Sequence, residues 1–183
     1  AAAALPNNES TSEQQTDAGI IKSIREAAIT VQNSRIGSRF EVTDQSGNLV
    51  PMHQSDTVSF LTALGLHRIG RSKLEKHLDS STGTDGDAAA EKDNVASALV
   101  FLLEADSEWN KSQTLESWKD KVDNYGLLQL DISWCYLLLE SLEDLGDAVS
   151  RLDIAEKVLK KQVHANFITL ALTQAEMNNP IPP

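Results

Sequence analysis

The chain has 183 residues, 40% of them hydrophobic and 23% charged, and a net charge of −11. That balance is globular rather than disordered, and the length fits one domain with room for a real core. The acidity disfavours non-specific nucleic-acid binding, which needs a basic surface to displace counterions, and disfavours anionic membranes for the same reason.

A basic partner surface is favoured instead. The single cysteine, Cys135, cannot close an internal disulfide and suits a reducing compartment. No charged segment followed by a short apolar run marks a secretory signal. Cytoplasm and nucleus are the compartments expected.

Taken in order, residues 1–18 are small and polar and predict a disordered tail. Residues 19–52 hold a leading helix and a small β-hairpin. Ile20, Ile21, Ile24, Ala27, Ala28 and Val31 recur at helical spacing. Phe40 and Val42 then alternate with Glu41 and Thr43, and Gly47 sits in the turn before Leu49 and Val50. A lone hairpin is marginal in water, so this one must pack on helices.

Residues 53–178 read as a helical domain. Ser55 or Asp56 can cap a helix carrying Val58, Leu61, Leu64, Ile69 and Leu74. An acidic loop of turn formers follows from Asp79. From about Ala88 another helix presents Val95, Leu99, Leu102, Leu103 and Ala105 and ends near Trp109; Leu115, Trp118 and Val122 lead onward. Tyr125 to Leu142 is apolar on nearly every side, which predicts a helix enclosed by others; Asp131 and Glu140 make a membrane span improper. The stretch Glu143–Asp147 breaks the pattern, with Asp144 or Asp147 as a cap. Ala148, Leu152, Ala155, Val158 and Leu159 share one face of the next helix, and so short a turn makes the pair antiparallel. Phe167, Leu170, Leu172 and Ala175 suggest one more helix, and 179–183 is a Pro-rich end that cannot continue it.

The spacing Ala98-x3-Leu102-x2-Ala105 recurs as Ala148-x3-Leu152-x2-Ala155, offset by fifty residues. A small-large-small row on the second helix of a pair lets its partner approach closely, as in tetratricopeptide repeats, whose period is about 34 residues. The fold expected is all-α: antiparallel helix pairs in a degenerate tetratricopeptide-like stack, with the leading helix and hairpin packed on it.

Candidate chemistry is thin. An activated thiol needs exposure and a basic neighbour, whereas Cys135 lies between Trp134 and Tyr136 in an apolar helix and reads as structural. His53, His67, His77 and His164 are scattered without zinc-ligand spacing, and His67 and His77 read as surface groups. Asp79, Asp85, Asp87, Glu91 and Asp93 lack the EF-hand order and read as a solvated loop. The run Ala63-Leu64-Gly65-Leu66 could be a ubiquitin-associated-type turn, but the apolar period continues through it, favouring a helix in which Gly65 and Gly70 permit close contact. No metal, cofactor or catalytic residue is called for. Asn124, Gln129 and Asp131 interrupt the apolar helix. They either satisfy neighbouring helices or line the inner surface of the stack as partner-binding residues.

The run VDNYGLLQLDISWCYLLLESLEDLGDA resembles the central helical region of the NEDD-eight ultimate buster family. The resemblance extends upstream through Phe40–Asn48 and Ala63–Arg71 and covers roughly Arg39 to Lys161. It implies a non-enzymatic adaptor that binds the ubiquitin-like modifier Nedd-eight (Rub in plants), or a relative, and delivers it and its conjugates to the proteasome, lowering its level. The family's ubiquitin-like and ubiquitin-associated modules have no counterpart in these residues, so contacts made through them are not carried over. The alternative is a scaffold that spaces such modules, or that contacts the proteasome or a chaperone, without binding the modifier.

Overall fold

A computed structural model describes residues 16–34, 42–43, 49–50, 52–80, 88–111, 113–119 and 121–178, with no side-chain description at 50, 77–80, 88–91 and 162–178. Of the tail expected over 1–18, residues 1–15 lie outside the described residues and Asp17 and Ala18 belong to α1; of the acidic loop expected from Asp79, 81–87 lie outside them and Asp79 and Ser80 belong to α2; the turn at Gly47 and the Pro-rich end also lie outside.

Six helices and one two-stranded ribbon make up the described fold: α1 (Asp17–Asn33), β1 (Val42–Thr43), β2 (Leu49–Val50), α2 (Gln54–Ser80), α3 (Ala88–Trp109), α4 (Gln113–Glu116), α5 (Asp123–Leu138) and α6 (Leu145–Asn178). The class is all-α, built on two helix pairs, α2 with α3 and α5 with α6. Thr16 starts α1: its hydroxyl accepts from the Gly19 amide, satisfying one of the donors that a helix start leaves open. β1 and β2 run antiparallel with Val42 opposite Val50, and Val42 packs against the core. The start of α2 falls at Gln54, a residue before the expected cap, and Asp56 is buried within its first turn.

Close packing explains the two glycines of α2. The helix runs unbroken through both, as the apolar period predicts. A Cβ on Gly65 would meet Ile24 of α1 at 2.8 Å, and one on Gly70 would meet Leu102 of α3 at 2.7 Å. The missing side chains set how near α1 and α3 come to α2.

The core is continuous from α2 through α3 to α5. Phe60, Leu66, Phe101, Leu102, Leu128 and Ile132 are buried in it. At its base an aromatic knot ties α2, α3, α5 and the turn after α4 together. Phe60 meets the rings of Trp109 and Trp118 edge-on at 5.4 and 5.9 Å, and Trp109 meets Tyr125 at 5.5 Å. Such edge contacts add to the burial of the rings themselves. α1 is fastened from outside: Glu108, buried at the end of α3, accepts from Arg25 at 2.5 Å and Lys111 at 2.7 Å. Ser97 donates to Asp17 at 2.6 Å.

Two expectations change. The last two predicted helices are one: α6 continues for 34 residues, because nothing between Lys161 and Phe167 breaks it. And α5, expected to be enclosed, leaves Leu130, Trp134 and Leu137 exposed.

Candidate functional site

α5 ends in a tight reversal that fixes everything around it. Glu140 adopts a left-handed backbone, φ 55°. The amide of Ser141 then donates to the Tyr136 carbonyl and that of Glu140 to the Leu137 carbonyl, closing the helix end in the six-to-one pattern usually made with glycine. Asp144 occupies the cap position of α6, its carbonyl accepting from Ala148 while its carboxylate accepts from Ser141 at 2.6 Å. Asp147 lies in the first turn, where the helix dipole favours a negative charge.

This reversal brings α6 antiparallel against α5. Ser133 donates to carbonyls of both helices, Gln129 and Ala148. Gly126 approaches Val158 and Leu159, where a Cβ would lie 3.1 Å from Val158. Between them sits a polar cluster that sequence reasoning missed apart from Gln129. The Gln129 amide donates to Asp106 of α3 at 2.8 Å, and its carbonyl accepts from Arg151 of α6 at 2.7 Å. Arg151 also donates to Asp106 at 3.0 Å and Asp147 at 2.7 Å. Burial works against the Arg151 charge, but the hydrogen bonds and charges of Asp147 and Asp106 outweigh it and push its pKa up. Burial also pushes the nearby Tyr125 phenol up, and the Asp106 carboxylate adds to it. The missed signal was Asp106 and Arg151 themselves, charged residues close to Ala105 and Leu152 of the repeated spacing.

Asp131 points the other way, towards α2. It lies 2.8 Å from the ring Nε2 of His67 and 3.8 Å from Arg71. His67 is therefore buried and partnered, contrary to the surface position expected of it; an acidic group on an apolar helix needs such a partner. Asn124 is exposed near the start of α5. The three polar positions thus separate: Gln129 is enclosed between α3 and α6, Asp131 faces α2, and Asn124 meets solvent.

What α5 does offer to solvent is apolar. Leu130, Trp134 and Leu137 follow one another at helical spacing along a single face, and Trp134, the largest, is 44% exposed. Singly exposed apolar residues are ordinary, but a row centred on a tryptophan has the composition of an interaction surface.

Cys135 is turned inward on the same helix. Burial, with a smaller contribution from the Asp131 charge, pushes its thiol up to about 12, so the nucleophilic thiolate is suppressed. It lines neither of two clefts: one of about 510 Å³ by His53, Trp118 and Lys121, and one of about 260 Å³ by Tyr125, Ile154 and Lys157. Among the described residues no group of acidic, histidine or cysteine side chains is placed to hold a metal ion, and no helix is long and apolar enough to cross a membrane.

Comparison with curated proteins places this helical arrangement. Human NEDD8 ultimate buster 1 is 31% identical over 147 residues, covering 80% of this chain and 21% of the relative. The mouse protein of the same name matches at the same identity and coverage. Over this stretch the chain is similar to the NEDD8 ultimate buster proteins, which supports the family resemblance for this partial region. It spans about a fifth of the length of these relatives. No family model and no solved structure matches it.

Proposed function

We propose that this region is a non-enzymatic adaptor unit that binds the ubiquitin-like modifier NEDD8, or Rub in plants, and that its whole protein delivers the modifier and its conjugates to the proteasome. The relatives' name, NEDD8 ultimate buster 1, supports the choice of modifier. The observation that carries the binding role is the open row Leu130, Trp134, Leu137 on α5, since a plain spacer has no need of a solvent-facing tryptophan row. Asn124 is exposed on the same helix and would supply a polar contact, whereas Asp131 is engaged by His67 of α2.

Calorimetric titration with Rub or NEDD8, against ubiquitin as control, tests this. Saturable heat with NEDD8 or Rub, lost at least tenfold in Trp134→Ser, is the expected result; a central aromatic anchor is worth about 2 kcal/mol or more at an interface. A second reading, a scaffold without modifier contact, is favoured by the enclosure of Gln129, which leaves that residue structural work only. Absence of heat with either modifier would move recognition elsewhere in the longer relatives and leave the scaffold reading standing.

A further inference from the structure

The fifty-residue repeat is deeper in three dimensions than its three positions suggest. Aligned on Ala98 and Ala148, the helices pair Val95 with Leu145, Leu99 with Val149, Leu102 with Leu152, Ala105 with Ala155 and Asp106 with Glu156. On α3 the flank made by these residues is enclosed between α2, whose Gly70 lies against Leu102, and α5, which runs antiparallel to α3: Lys92 meets Glu140 at one end and Asp106 meets Gln129 at the other. Val95 and Leu102 are accordingly 1% and 0% exposed. On α6 the equivalent flank has no helix over it among the described residues. Leu145, Val149 and Leu152 are 50%, 53% and 37% exposed, and Leu142, just before them, is more exposed still.

We propose that this flank of α6 docks an amphipathic α-helix of a partner protein, antiparallel to α6, in the way that α3 receives α5. The occupant's chemistry follows from the internal precedent. It carries large apolar residues at i, i+3 or i+4, and i+7, to cover Leu145, Val149 and Leu152. Where α5 offers the Gln129 amide to Asp106, the docking helix offers an amide or a cation to Glu156, whose partner is the exposed Lys160 one turn along α6. Asp153 lies exposed beside the strip, and the chain carries a net charge of −11. Lysine or arginine at the edges of the incoming helix is therefore favoured, and a second copy of this acidic chain is disfavoured. The strip's side chains belong to α6 and those of the row assigned above to the modifier belong to α5, so the two proposals rest on different residues.

The probe is a fluorescein-labelled leucine–lysine peptide of roughly 16 residues with leucines at i, i+3, i+4 and i+7, followed by anisotropy on the full chain. A peptide of the same composition, scrambled to destroy the apolar face, is the control for charge alone. The expected result is saturable binding of the patterned peptide, at least tenfold tighter than the scrambled one. Val149→Asp and Leu145→Gln should each weaken it at least tenfold with unchanged thermal unfolding, while Trp134→Ser leaves it unaffected. Equal binding of the two peptides, or full binding by both α6 variants, overturns the proposal. So does sedimentation showing dimers of the chain that Val149→Asp dissolves, which would make a second copy the occupant.

Discussion

Replacing Arg151 by methionine should be among the most damaging single changes available outside the apolar core. The guanidinium holds Asp106, Asp147 and the Gln129 carbonyl together, at 2.7 to 3.0 Å. Methionine fills much of the volume but leaves the Gln129 oxygen and part of the Asp106 carboxylate without a donor. Breaking a buried ion pair from one side costs about 3–5 kcal/mol. Arg151 and Asp106 side chains are each 14% exposed, which places the loss at the lower end, about 3 kcal/mol; the half-exposed Asp147 adds little. In urea the midpoint should fall with an unchanged slope, and the melting temperature should drop by about 6–12 °C for a chain of this size. Pairing the change with Asp106→Leu should restore part of the loss, because two apolar partners leave fewer unpaired groups than one. A loss below about 1 kcal/mol, or simple additivity of the two changes, would refute the account of the cluster as a coupled unit.

Other consequences are equally open to measurement. Gly70→Ala should destabilise by about 1–3 kcal/mol in the same urea experiment, since its methyl would press on Leu102 at 2.7 Å and on the Ala98 carbonyl at 3.1 Å. Glu140→Gly should stabilise by roughly 0.5 kcal/mol: relief of the left-handed strain exceeds the added freedom of the unfolded chain and the loss of an exposed ion pair with Lys92. Burial raises the Asp147 carboxyl, but Arg151's hydrogen bond and charge outweigh it and hold the pKa below its ordinary value. Its stabilising effect is therefore complete above the ordinary carboxylate range and fades as pH falls through that range and on through the lower folded value. Asp147→Asn should flatten the acid limb of a stability–pH profile. Cys135 should resist a thiol reagent at pH 8 in the folded chain and react once denaturant is added; fast native labelling would contradict its burial and high pKa.

Much of the fold could be read from local rules, and the failures have two causes. Helix positions followed from apolar spacing, because periodicity reports which side of a helix is buried. The antiparallel pairing of α5 and α6 followed from the short break at Glu143–Asp147, and the role of Gly65 and Gly70 from an apolar period that never falters across them. What stayed hidden depends on residues far apart in sequence. His67 read as a surface group because its partner, Asp131, lies on a helix 64 positions away. Asp106 and Arg151 drew no notice in the sequence, because only the packing of three helices brings them to Gln129. The open row on α5 was hidden for a different reason: a helix apolar all round gives no sign of which side lacks a neighbour.

That uniformity gives the Gln129 cluster a further meaning. By apolar character alone, α5 could rotate about its axis or slip by a turn and still bury as many leucines, hiding Trp134 and exposing Ile132 instead. Such a rearranged helix would strand the Gln129 amide, the Asp106 carboxylate and the Arg151 guanidinium in the core, each without its mate. One glutamine therefore acts as a key that admits a single rotational setting of the helix. The identity of the side chains shown to solvent on the opposite face is chosen from inside the protein.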